Sequence, residues 1–140
     1  YGCEIVIHEL DAPALEAGDS RRTAANWYGR SMKPLMPDVL LSGTGRQIRL
    51  GDRPVEAIHT PGHTPGSLAL FCPCGGARVL FGQDIHGPFS PAFGSNLGDW
   101  RQSMEKLLEL KADVLAEGHY GVFKPANEVE AFIRNQLKAN

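Results

Sequence analysis

The pattern of apolar and polar positions divides the chain into short strands first and longer helices last. Residues 3–8, Cys3-Glu4-Ile5-Val6-Ile7-His8, form a β-branched run that predicts a strand. Asp11 stands where an N-cap belongs, ahead of Ala12-Pro13-Ala14-Leu15-Glu16-Ala17, and Gly18 stops that short helix. Residues 21–28 suit a second helix, and Pro34 and Pro37 break the stretch beyond it. Residues 38–41 read as a strand. Residues 46–50 and 55–58 alternate polar with apolar and flank Gly51-Asp52-Arg53-Pro54, which predicts a hairpin. Residues 67–72 and 77–81 are almost wholly apolar and flank Pro73-Cys74-Gly75-Gly76, which predicts a second hairpin of buried, central strands.

The helical period appears late. Leu97, Trp100, Met104, Leu107 and Leu108 recur at helical spacing, with Asn96 as N-cap and Asp99 three residues on. Val129, Phe132, Ile133 and Leu137 make a second stripe behind Pro125. Between the two, residues 112–116 read as a strand. The order β-α, antiparallel strands, then α-β-α predicts an α/β fold: a mixed, largely antiparallel sheet with helices on one face. No internal repeat, linker or low-complexity stretch interrupts it.

Composition narrows the function classes. The 140 residues are 42% hydrophobic and 21% charged, values of an ordinary globular chain. No apolar run approaches the roughly 20 residues that span a bilayer. A net charge of −2 gives no field that would draw nucleic acid or an anionic membrane. Sixteen Gly and ten Pro mark many turns. Three Cys make no complete disulfide framework, which points to a reducing compartment and, by default, the cytoplasm. The chain opens Tyr1-Gly2-Cys3, without Met, and is expected to be a piece of a longer one.

The candidate chemistry lies in the histidines. His63, Asp84 and His119 each fall just past a predicted strand, in a loop that also holds Gly62, Gly66, Gly82 or Gly118. Sites are commonly assembled from such loops. Imidazole offers a lone pair and carboxylate a charge that can bridge two ions, so the three are either solvated loop residues or ligands of Zn2+ or a related metal. His86, two residues past Asp84, either touches substrate or is an ordinary loop residue. His59 either supports the loop that comes after it or binds metal, and His8 is structural. Cys72-Pro73-Cys74 lies in a hairpin tip, away from the other candidates, and reads as a turn with free thiols or, without partner ligands, a metal or redox pair. Arg21, Arg22, Arg46 and Arg49 read as solvated, and Trp27, Tyr28 and Trp100 as core or rim. The loop Gly87-Pro88-Phe89-Ser90-Pro91-Ala92-Phe93-Gly94 is the candidate substrate wall.

Three motifs carry a resemblance. Thr60-Pro61-Gly62-His63-Thr64-Pro65-Gly66-Ser67, then Phe81-Gly82-Gln83-Asp84, then Glu117-Gly118-His119 resemble the metallo-β-lactamase fold superfamily in its broad hydrolase branch. Their spacing agrees, with 21 residues from His63 to Asp84 and 35 from there to His119. The resemblance implies an αββα sandwich, represented here mainly by its second half. It implies His63 on a first metal, Asp84 bridging two metals as the catalytic carboxylate, and His119 on the second. The metals would be zinc, with iron or manganese as alternatives. The family's upstream His-x-His-x-Asp-His cluster is not in this sequence. The chain is therefore expected to be the C-terminal portion of a single domain, inactive by itself.

The activity so implied is hydrolysis of a small molecule by a metal-bound hydroxide, with the substrate unassigned. The alternatives are an iron-dependent oxidoreductase or dioxygenase of the same fold, or a non-catalytic folded fragment. The sheet face that would pack on the other half should be apolar. Its expected cover is a second copy of the chain or the N-terminal piece of the same protein.

Overall fold

In the computed structural model, described over residues 2–140, eight strands and three α-helices succeed one another. The strands are β1 (Val6–His8), β2 (Val39–Leu41), β3 (Gly45–Leu50), β4 (Arg53–His59), β5 (Leu68–Cys74), β6 (Ala77–Gln83), β7 (Val114–Glu117) and β8 (Gly121–Phe123). The helices are α1 (Ala12–Glu16), α2 (Leu97–Glu109) and α3 (Ala126–Ala139). Strands β3 to β8 form one sheet in sequence order, antiparallel at every step except the parallel pair β6 and β7. That pair is parallel because α2 crosses over between its members. β1 and β2 make a separate parallel pair.

The core lies on one face of the large sheet. Ala69, Leu80 and Leu115 point to that face from β5, β6 and β7 and are fully buried. Trp100, Met104 and Leu107 of α2 and Val129, Phe132 and Ile133 of α3 close over them. The indole of Trp100 satisfies its one donor by an Nε1–H bond to the Ile85 carbonyl at 2.7 Å. Asn96 starts α2 by accepting the amides of Gly98 and Asp99 on its side chain.

The opposite face is apolar and largely open. Leu70, Phe81, Ala116 and Val122 align across it by register. Phe81, in a central strand, is 42% exposed, and Val122 is 63% exposed. Where β4 ends, the β1–β2 pair reaches this face. Buried His8 lies flat on His59, with ring centroids 4.1 Å apart and planes 8° from parallel.

Several sequence expectations are revised. Residues 21–28 do not form an α-helix: Ala24 turns left-handed at φ 58° and only a single 3-10 turn, Ala25–Tyr28, comes after it. Strand β8 is absent from the hydrophobic pattern, since three residues show no period. The hairpin between β5 and β6 turns at Gly75-Gly76, so Cys72, Pro73 and Cys74 belong to the strand. The three cysteines are free. Asp11 occupies the N-cap of α1, but its side chain makes no capping bond. Among the described residues no helix is long and apolar enough to cross a membrane.

Candidate metal centre

The loop bearing His63 is fixed from three sides. From below, Asp11 accepts Thr64 Oγ1–H at 2.5 Å on Oδ2 and the Gly66 amide at 2.9 Å on Oδ1. From within, His59 bonds the Pro65 carbonyl through Nε2 at 2.8 Å, and Thr60 N–H bonds Ser67 O at 2.9 Å. From α2, Ser103 donates to the Pro61 carbonyl at 2.7 Å. Gly62 lies so close to α2 that a Cβ there would stand 2.3 Å from Trp100 Cβ. His59 thus supports the loop, and Asp11 serves the loop rather than its own helix.

Asp84 comes after an irregular strand end. The β6–β7 register shifts between Phe81 and Gln83, and Gln83 is left-handed at φ 51°. A left-handed non-glycine residue costs on the order of 1–3 kcal/mol and persists where its surroundings impose it. Here the Gly118 amide holds Gln83 O at 2.8 Å. A Cβ on Gly118 would lie 2.7 Å from Asp84 Oδ1, so this glycine is needed for close approach.

The two imidazoles meet the Asp84 carboxylate from separate sides. His63 Nε2 lies 3.6 Å from Oδ2, and His119 Nε2 lies 3.1 Å from Oδ1. His63 Nδ1 sits 2.7 Å from the Pro88 carbonyl, which can only accept. That bond places a ring proton on Nδ1 and turns Nε2 toward Asp84.

Behind His119 stands Glu117, whose side chain has no exposed surface. Its Oε2 accepts the amides of His119 and Tyr120 at 2.8 and 2.9 Å, and its Oε1 accepts His86 Nδ1–H at 2.5 Å. Burial pushes this carboxyl up, but the two amides and the His86 imidazole outweigh it and hold the group below the ordinary glutamate range. Glu117 opens the third sequence motif, Glu117-Gly118-His119, but receives no role there. Its signal is a carboxylate at the end of the otherwise apolar Val114-Leu115-Ala116, directly before Gly118-His119.

His63, Asp84, His86 and His119 share one cleft of about 410 Å3. His86 packs edge-on against His119 at 5.2 Å and Tyr120 at 4.8 Å. Pro88 and Phe93 of the proposed substrate wall also line the cleft, whereas Phe89 turns inward against Trp100. Trp100 is core, and Trp27 and Tyr28 are exposed at the cleft. His8 is buried, with Nδ1 accepting the Leu10 amide and Nε2 on the Gly43 carbonyl, and it lines a second cavity of about 250 Å3 together with His63 and Asp84.

Among the described residues, no group of three or more His, Cys, Asp or Glu side chains encloses a metal position. The donor chemistry of His63, Asp84 and His119 nonetheless fits one wall of such a site. Two imidazoles are held by their backbones and by Pro88, and one carboxylate gives a different oxygen to each.

A family model described as the metallo-beta-lactamase superfamily matches residues 1–119. Acyl-coenzyme A thioesterase MBLAC2 of Gallus gallus is 30% identical over 142 residues, covering 86% of this chain and 50% of the relative. Its counterpart from Homo sapiens is 26% identical over 147 residues, covering 85% and 50%. The chain thus spans about half the length of these relatives. Among solved structures, a metallo-beta-lactamase of Cronobacter sakazakii aligns with TM-score 0.76 at 17% identity, over 99% of this chain and 61% of that one. An archaeal superfamily protein, ST1585 from Sulfolobus tokodaii, aligns with TM-score 0.67 at 18% identity, over 98% and 59%. With a family model matched over most of its length and a sheet and helices that align with those structures, this chain belongs to the metallo-beta-lactamase superfamily.

Proposed function

We propose that this chain forms one wall of the active site of a zinc-dependent thioester hydrolase. The observation that carries the reading is the Asp84 carboxylate, faced by a different imidazole Nε2 at each oxygen. The thioester class comes from the relatives named as acyl-coenzyme A thioesterases.

His63, Asp84 and His119 would hold the metal, with Asp84 the residue able to reach two ions. A bound divalent cation supplies Lewis acidity and a nucleophile at neutral pH. The chain's own residues do the rest. Pro88 keeps the His63 proton on Nδ1. Glu117 keeps His86 and the loop of His119 in place. Phe93, packed 5.4 Å from His63, narrows access of water from that side. His86 lines the cleft wall and would touch substrate there.

Three protein ligands are few for a two-metal site. The remaining ligands would come from sequence outside these 140 residues, which would also cover the open sheet face bearing Phe81 and Val122. A second copy of the chain is the alternative cover.

The test is thiol release from an acyl-coenzyme A, measured with a colorimetric thiol reagent, using the longer protein that carries this chain and added zinc. Hydrolysis that disappears in Asp84→Ala and His119→Ala supports the reading. A zinc-loaded protein that cleaves no thioester overturns it.

A further inference from the structure

The cleft above Asp84 continues into a rim that the hydrolysis itself does not use. Asp19 starts this rim, accepting the amides of Arg21 and Arg22 at 2.9 and 3.1 Å on its side chain. Ala24 at φ 58° and Gly29 at φ 62° then bracket the 3-10 turn Ala25–Tyr28. A left-handed alanine is strained, and here the strained backbone presents side chains to solvent instead of burying them. Trp27 is 56% exposed and Tyr28 75% exposed.

Single exposed aromatics are commonplace. These belong to one surface. Trp27 packs on Phe93 at 4.9 Å, and Phe93 packs on His63 at 5.4 Å, so an aromatic wall runs from the rim to the candidate metal ligand. Tyr120, 62% exposed, forms the opposite wall against His86. Arg22 lines the same cleft. Among the described residues its guanidinium makes no ion pair and no side-chain hydrogen bond. Its charge is felt by Asp19, but the hydrogen bonds of that carboxylate go to backbone amides.

A free guanidinium and a half-exposed indole lining one cleft match one ligand chemistry well. The planar fork takes phosphate oxygens, and the indole stacks on a base. We infer that Arg22 and Trp27 form a subsite for a phosphorylated purine nucleotide group, the handle of a coenzyme A thioester, outside the reacting centre. The identity of this ligand rests on the thioester reading above. The phosphate would engage Arg22 while the base lies on Trp27.

The two tryptophans make the test direct. Trp100 is 1% exposed, so a ligand in the cleft quenches the emission of Trp27, while Trp100 reports that the fold is intact. Adenosine 3′,5′-bisphosphate is titrated against the 140-residue chain. The expected result is saturable quenching, about tenfold or more weaker with adenosine and in Arg22→Ala, and intermediate in Arg22→Lys, which keeps charge but loses the fork. Equal affinity for adenosine and its bisphosphate, no change in Arg22→Ala, or no quenching at all overturns the subsite. Binding of the bisphosphate by a protein that hydrolyses no thioester leaves the subsite standing and removes the thioester reading. Thioester hydrolysis without bisphosphate binding does the reverse.

Discussion

Replacing Glu117 by Gln removes one charge and almost no volume from a side chain with no exposed surface. In the native protein both carboxylate oxygens are used: Oε2 by the amides of His119 and Tyr120, Oε1 by His86 Nδ1–H. The carboxyl lies below the ordinary glutamate range despite its burial, so the three donors favour the charged form by more than desolvation opposes it. A neutral amide reverses that balance. Its oxygen can still face the two amides, but its NH2 then meets the Nδ1–H of His86. Either that donor pair stays unsatisfied, or His86 moves its proton to Nε2. Exchanging charge-assisted bonds for neutral ones, with one buried donor left poorly served, gives a loss of about 2 kcal/mol. Glu117→Ala should cost more, about 3–4 kcal/mol, because both amides and the imidazole lose their partner. Urea unfolding monitored by far-ultraviolet circular dichroism measures the loss. Nitrogen-15 chemical shifts of His86 report its tautomer. The depressed carboxyl also sets a pH dependence. Its contribution is present above the pKa of the unfolded glutamate, about 4.3, and is lost as pH falls through the lower folded value. Wild-type stability should therefore fall in that acid window by more than that of Glu117→Gln. A Gln variant within about 0.5 kcal/mol of wild type, with His86 still protonated at Nδ1, would refute the reasoning.

The other predictions are more local. Gly118→Ala should displace the Asp84 carboxylate, since its Cβ would stand 2.7 Å from Oδ1 and 2.9 Å from the Gln83 carbonyl; zinc uptake by calorimetry should drop while the helical circular dichroism persists. Asp84→Ala should abolish zinc retention and change stability by less than about 1 kcal/mol, because the side chain is 35% exposed; unchanged zinc uptake would remove Asp84 from the ligand set. Asp113 is held at a pKa of about 2 by the Arg78 side chain and amide. Its stabilising effect is complete above its unfolded pKa and vanishes as pH falls towards 2, and a carbon-13 titration of Arg78→Ala should return it towards the ordinary aspartate value. The open sheet face should make the 15.2 kDa chain self-associate at high concentration, and Phe81→Lys should weaken that association; a monodisperse wild-type monomer in light scattering would count against it.

What was legible in the sequence depended on period and punctuation. The stripes of α2 and α3 are long enough for a 3.6-residue repeat to stand out, and Asn96 marks its own helix start. The two hairpins are visible because Gly51 and the Gly75-Gly76 pair mark their turns, whereas Pro54 and Pro73 lie within the flanking strands. β8, at three residues, is too short to show an alternation, and its place is set by pairing with β7. Residues 21–28 looked helical by propensity, but the Asp19 side chain captures the first amides and Ala24 turns the chain left-handed. Asp11 satisfied an N-cap pattern, yet its carboxylate reaches 53 residues ahead to Thr64.

By itself, then, the sequence determined which residues stand at strand ends: His63, Asp84 and His119 were identifiable because glycine-bearing motifs surround them at a fixed spacing. Only the tertiary structure decided how they meet. It alone shows that Asp84 turns one oxygen to each imidazole, that Pro88 selects the proton position on His63, and that Glu117 holds two loops at once. The physical reason is range. Helix period, caps and turns act over a few residues and are written in neighbouring letters. Hydrogen-bond direction and charge burial depend on groups 25 to 55 residues apart, brought together only when the sheet closes against its helices.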